Sequence, residues 1–173
     1  CYVGQDEAIR RIITAIYRSI YLKSIKTRLL IIGNNSTGKT EMLKQIIKGL
    51  GIPYTFENAT NYMKDGYYGQ EVEIMINKLI FAANYDMKKA QNGIIVIDQI
   101  DQIVGNHYPK ISNEMFFHSL LRLINGDELI MTNGSTFDTS KIILIFCGTF
   151  SSVKEIKKEE LQNFSIGFNT NTQ

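Results

Sequence analysis

Two hydrophobic spacings alternate along this chain, and together they predict its layers. Short unbroken apolar runs, Leu29-Leu30-Ile31-Ile32 and Ile94-Ile95-Val96-Ile97, read as strands buried on both faces. A further strand is expected over 142–146, and a short one over 53–56. Between these runs, apolar residues recur every three or four positions, which is helical spacing. Ala8, Ile12, Ala15, Ile16 and Ile20 predict a helix over 8–23. Leu43, Ile46, Ile47 and Leu50 predict one after the first strand, stopped by Gly51 and Pro53. Val72, Met75, Ile76, Leu79 and Ile80 face inward from a helix over 71–84, and a strand over 93–98 follows. Phe116, Phe117, Leu120, Leu121 and Ile124 mark a helix over 113–124, closed by Asn125-Gly126. Strands alternating with helices imply an α/β three-layer sandwich, a parallel sheet covered on both faces.

The turn after the first strand carries chemistry. Residues Gly33-Asn34-Asn35-Ser36-Thr37-Gly38-Lys39-Thr40 follow the P-loop pattern G-x-x-x-x-G-K-[ST], in the required order of strand, glycine-rich turn and helix. Such a turn converges backbone N–H groups on phosphate oxygens, and the helix N-terminus adds partial positive charge there. Asn35, Ser36, Thr37, Gly38, Lys39, Thr40 and Glu41 are the candidate nucleotide-binding positions. Lys39 is expected to reach the β- and γ-phosphates, and Thr40 to hold Mg²⁺ through its hydroxyl. The expected ligands are therefore ATP or a relative, with Mg²⁺.

A second motif ends the 93–98 strand at Asp98-Gln99. A carboxylate at the C-terminal end of a parallel strand lies where such sheets bind ligands, and Asp98 is the second candidate metal ligand. Hydrolytic P-loop relatives carry Glu at the next position, to polarise the attacking water. Gln99 can still orient a water but cannot accept its proton, and a positioned general base is worth about 10²- to 10⁴-fold in rate. Nucleotide binding with hydrolysis slowed by that factor is expected. Two origins fit Gln99: a substitution that traps the ATP state, or the natural residue of a degenerate paralogue.

Composition narrows the rest. The 173 residues suffice for one α/β domain. The 19 basic and 17 acidic residues leave a net charge of +2, with no reason to invoke nucleic acid or a membrane. No 18-residue apolar span or signal peptide is visible. Cys1 and Cys147 lack metal spacing, and a reduced thiol in the cytoplasm is expected. His107 and His118 read as ordinary histidines, and 154–160 as a solvated charged face. The chain begins without Met, as a piece of something longer would. Its polar tail over 163–173 is expected to be loose.

Taken together, the motifs resemble the large subdomain of ClpX-type AAA+ unfoldases, with HslU the second-best match. The resemblance is collinear over nearly the whole chain. Cys1-Tyr2-Val3-Gly4-Gln5 resembles the opening box that lies against adenine, which implies Tyr2 and Val3 as base contacts. Gly66-Tyr67-Tyr68-Gly69 resembles the aromatic pore loop, which implies that Tyr67 and Tyr68 grip a polypeptide. Residues 85–91, 141–150 and Ile166-Gly167-Phe168 are similar to later stretches of the family. Thr149 falls at the sensor-one position, to within a residue. The resemblance implies the P-loop NTPase fold of an AAA+ large subdomain over 1–173, here without the C-terminal fifth strand, arginine finger or helical lid, and without an N-terminal zinc module. The first strand would then be an open sheet edge. It also implies a ring of six subunits, ATP and ADP as ligands, a polypeptide substrate and a ClpP-type protease partner.

Departures keep alternatives open. Asn34 replaces a usual Pro, Gln70 replaces an acidic residue, and the basic substrate-recruiting loop gives way to a short neutral stretch at 131–136. One reading is the ATP-binding core of an unfoldase with hydrolysis suppressed at Gln99. A second is an ATP-binding regulator or scaffold that does not turn over. A third, a P-loop kinase, needs an Arg-bearing lid and leaves Tyr67-Tyr68 without a role.

Overall fold

A computed structural model describes residues 5–22, 27–34, 37–62, 70–104 and 110–150. Four strands form a parallel sheet: β1 (Arg28–Ile32), β2 (Tyr54–Asn58), β3 (Ile94–Asp98) and the last strand, β6 (Ile143–Gly148), in the order β1-β6-β3-β2. Helices α1 (Asp6–Leu22) and α2 (Lys39–Lys48) cover one face. Helices α3 (Glu71–Ala82) and α6 (Lys110–Asn125) cover the other. Short helices α4 (Met87–Ala90) and α5 (Asp101–Val104) flank β3.

Strand alternation divides the core in two. Ile94, Val96, Ile143, Ile145 and Cys147 meet Ile12 and Ile16 of α1 and Met42, Leu43 and Ile47 of α2. Ile95, Ile97, Leu144 and Phe146 meet Val72, Met75, Ile76 and Leu79 of α3 and Phe116, Leu120 and Leu123 of α6. Every residue of β6 is buried, as a central parallel strand requires.

Three sequence expectations need correction. The β1 run reads as buried on both faces, but among the described residues it pairs with β6 alone, the open edge that the resemblance implies. Its outward residues Leu30 and Ile32 are therefore about half exposed, at 55% and 51%. β2 runs on past Phe56 to Asn58, which carries two polar side chains to the C-terminal end of the sheet. The 131–136 stretch is the turn of a hairpin between β4 (Glu128–Ile130) and β5 (Thr136–Asp138). Leu129 and Phe137 bury its inner face on the α3–α6 layer, and Glu73 of α3 accepts from Thr132 N (2.8 Å) and Oγ1 (2.5 Å). The four expected helices differ from expectation only at their ends, while the short α4 and α5 were not expected. Cys1, His107, the 154–160 face and the 163–173 tail lie outside the described residues.

Candidate functional site

Parallel strands all present their C-terminal ends at one edge of the sheet, and three of them bring the candidate residues together there. Gly33 leaves β1 with its N–H donating to Gly148 O of β6 at 3.2 Å. Gly38 takes φ +77° immediately before α2, a conformation that L side chains rarely adopt. That turn aims the N-terminus of a ten-residue helix at the strand ends. Lys39 curls back, its Nζ donating to Gly33 O (2.8 Å) and Asn34 O (2.7 Å). Thr37 Oγ1 donates to Asn34 O at 2.9 Å. Glu41, one turn along, is exposed and accepts from Gln45.

Asp98 ends β3 directly across from α2. Thr40 Oγ1 donates to Asp98 Oδ2 at 2.5 Å, and Gln99 N donates to Asp98 Oδ1 at 2.8 Å. A hydroxyl and a carboxylate this close are a hard-oxygen pair of the kind Mg²⁺ takes alongside waters and phosphate oxygens. Among the described residues no cluster of three or more His, Cys, Asp or Glu could hold a metal by itself. The donor set therefore fits a metal that arrives with a phosphate ligand. Gly148 keeps this wall open: a Cβ there would lie 2.6 Å from Asp101 Oδ1 and 2.7 Å from the Phe150 ring.

Gln99 sits at φ +58°, a strained backbone for a residue with a side chain. Its amide is oriented by Asn58. The Asn58 oxygen accepts from Thr60 N (2.9 Å) and Thr60 Oγ1 (2.7 Å). A backbone N–H can only donate, so that oxygen assignment is forced. Asn58 Nδ2 is left to donate to Gln99 Oε1 at 3.1 Å. Gln99 thus has its acceptor engaged, and the other end of its amide is a donor.

Thr149 follows β6, and its hydroxyl donates to Asp101 Oδ2 at 2.5 Å, while Phe150 N donates to the same oxygen at 3.2 Å. Burial pushes the Asp101 carboxyl up, but the bonds from Thr149 and Phe150 outweigh it and hold Asp101 below its ordinary value. Cys147 is buried beneath the site, and burial, with the Asp98 charge, pushes its thiol up to about 12. It is a packed apolar side chain, not a nucleophile.

Lys39, Thr60, Asp98, Gln99, Asp101, Gln102, Gly148 and Thr149 line one cleft of about 250 Å³. That is below the ~300–1,000 Å³ of a complete small-molecule site, and it matches the phosphate and metal end of a larger ligand. A bigger cavity, about 570 Å³, opens at the opposite ends of the strands around Gly51, Pro53 and Lys89, and none of the motif residues reaches it. Among the sequence-derived candidates, Thr37, Gly38, Lys39, Thr40, Asp98, Gln99 and Thr149 gather at this edge, and Glu41 is exposed in the first turn of α2. Tyr2, Val3, Asn35, Ser36, Tyr67 and Tyr68 lie outside the described residues. Sequence reasoning missed Asn58, Thr60 and Asp101. Asp101 was reachable, being one helical step beyond Asp98-Gln99; Asn58 was hidden because the strand was ended at Phe56.

Comparison with known proteins gives the family. Residues 25–172 match the AAA domain (Cdc48 subfamily). The ATP-dependent Clp protease ATP-binding subunit ClpX 2 of Wolinella succinogenes is 28% identical, over 94% of this chain and 47% of its own length. The ClpX subunit of Porphyromonas gingivalis is 28% identical over 99% of this chain and 48% of its own. That of Azotobacter vinelandii is 27% identical over 96% and 45%. The chain belongs to the AAA domain family of P-loop ATP-binding proteins and is of the ClpX type. It spans about half the length of these curated relatives.

Proposed function

We propose that this chain is the ATP-binding core of a ClpX-like protein unfoldase whose hydrolysis is held back at Gln99. The supporting observation is the convergence of Lys39, Thr40, Asp98 and Gln99, from a P-loop helix and a neighbouring strand, on one cleft beside Thr149. Lys39 and the α2 N-terminus would bind the phosphates, exchanging two carbonyl partners for phosphate oxygens. Thr40 and Asp98 would hold Mg²⁺, which neutralises charge on the phosphates when bound. Thr149 is the candidate sensor of the γ-phosphate. Gln99 would place a water or phosphate oxygen by donating to it, with no basic atom left to take a proton. Tyr2 and Val3 would contact the base, and Tyr67 and Tyr68 a polypeptide substrate. The whole protein would work as a homo-hexamer in the cytoplasm with a ClpP-type protease.

One observation favours the second reading, a regulator or scaffold that holds ATP as a structural ligand. The Gln99 amide, held by Asn58, presents the cleft with a donor and no base, which suits a site that keeps ATP rather than cleaving it. The two readings part in one experiment on the full-length protein: Mg-ATP calorimetry with Lys39→Ala as control, and phosphate release with and without Gln99→Glu. Binding lost in Lys39→Ala, with turnover appearing in Gln99→Glu, supports the held-back unfoldase core. Binding without turnover in either form supports the regulator. Absence of binding sinks both.

A further inference from the structure

Beside the nucleotide cleft, on the other face of β2, lies a polar cluster that the motifs do not account for. Glu57 is only 5% exposed. Its Oε2 accepts from Tyr62 Oη and from Lys78 Nζ of α3 at 2.7 Å. Lys78 Nζ also reaches Tyr62 Oη at 3.0 Å. The Tyr62 ring lies parallel to Phe116 of α6, centroids 6.1 Å apart. A buried carboxylate is tolerated only when its charge and lone pairs are met, and here both donors come from the elements on either side.

Tyr62 ends a one-turn 3₁₀ helix, Ala59–Tyr62, that starts directly after Asn58. The turn is therefore fixed at both ends. Glu57 and Lys78 hold Tyr62 at its close; the Asn58 oxygen holds the Thr60 N–H and hydroxyl at its start. The same two bonds decide which end of the Asn58 amide faces Gln99. Glu57 and Asn58 are consecutive, so strand alternation sends one side chain to the α3 layer and the other to the cleft.

We propose that Tyr62, held by Glu57 and Lys78, is a positioning residue for the nucleotide cleft: it sets the 3₁₀ turn, the turn sets Asn58, and Asn58 sets the amide of Gln99. This deepens the function proposed above and rests on that cleft taking a nucleotide. It makes α3 a lever on the cleft, because a shift of Lys78 moves Tyr62 and releases Asn58.

The variant to make in the full-length protein is Tyr62→Phe, which keeps the ring on Phe116 and leaves Lys78 to balance Glu57. Lys78→Met is unsuitable, since it strands a buried carboxylate. Two readouts are taken, each also in an Asn58→Ala background. In Gln99→Glu protein, Tyr62→Phe is expected to lower kcat about fivefold, the order of one lost hydrogen bond, with KM for ATP within about twofold. In the Asn58→Ala background it should lower kcat no further, as two links of one chain do not add. In the parent protein, hydrogen exchange should speed up over 58–62 and over 98–100 in Tyr62→Phe, and the 98–100 change should vanish in the Asn58→Ala background. The proposal is overturned if exchange at 98–100 ignores Tyr62→Phe, or if kcat falls equally in both backgrounds. Should Gln99→Glu show no turnover, the exchange result decides alone. Failure of the parent to bind Mg-ATP in calorimetry would remove the nucleotide reading and leave the exchange result standing.

Discussion

Asn58 and Gln99 face each other across the ends of β2 and β3, and the Asn58 amide donates to the Gln99 carbonyl oxygen at 3.1 Å. The direction of that bond is imposed by the Thr60 N–H, which claims the Asn58 oxygen. The consequence is chemical: position 99 offers the cleft a donor and no base. A Glu at the same place would keep the Asn58 bond with one oxygen and have the other for a water proton. Gln99→Glu in the full-length protein is therefore expected to raise phosphate release by about 10²- to 10⁴-fold, with Mg-ATP affinity little changed. Turnover that stays flat in that variant would take Gln99 out of the reaction.

The Thr40–Asp98 contact makes a separate statement about metal. If these two oxygens share Mg²⁺, Thr40→Val removes one of them while preserving shape. The expected loss is about 1.5–3 kcal/mol, of the order of one polar contact to a charged group, and it should appear only with Mg²⁺ present. Calorimetry with ATP in Mg²⁺ and in EDTA reads the difference. Equal weakening in both buffers would mean that Thr40 packs the helix end and touches no metal.

Much of this was legible in the sequence because it depends on local order. The P-loop is a contiguous motif, and the runs that become β3 and β6 are apolar throughout because both faces of those strands are covered. What escaped was set by tertiary contacts. The β2 end was unreadable because Glu57 is buried by pairing with Tyr62 and Lys78, five and twenty-one residues away. The β4–β5 hairpin was missed although Asn133-Gly134, between Leu129 and Phe137 on the buried face, carries the usual turn signal. Three-residue strands are too short to show alternation. The αL backbone of Gln99 has no sequence signature at all.

Arg28 explains how an edge strand stays attached. Its guanidinium donates to Ile124 O (3.0 Å) and Leu123 O (3.4 Å) in the last turn of α6, and to Ile142 O (2.6 Å) and Thr27 O (3.1 Å). The last carbonyls of a helix have no partner within it and carry partial negative charge, so a planar cation with spread donors suits them. Burial lowers the Arg28 pKa, yet arginine stays charged across the working pH range. Lysine has the charge without the fork. Arg28→Lys is expected to cost about 1–3 kcal/mol in urea unfolding, and Arg28→Met at least as much. A Lys variant as stable as the parent would mean that charge alone serves the helix end.

Asp101 gives the site an acid-side dependence whose sign is fixed. Burial raises its carboxyl and the bonds from Thr149 and Phe150 lower it by more, so the folded value lies below the unfolded one. A depressed carboxylate stabilises the fold above its unfolded pKa, about 3.9, and that contribution fades as pH falls through the folded value. The stability difference between the parent and Asp101→Asn should then be constant above about pH 5 and shrink below pH 4. Thr149→Val, which removes a donor to the carboxylate, brings the folded value closer to the unfolded one, so the Asp101 contribution should be smaller and its fading should be complete at a higher pH. Urea midpoints taken from pH 6 to pH 2.5 measure all three curves. Parallel curves for parent and Asp101→Asn throughout would show that Asp101 ionises alike in the folded and unfolded chains, and that Thr149 is held by something other than its charge.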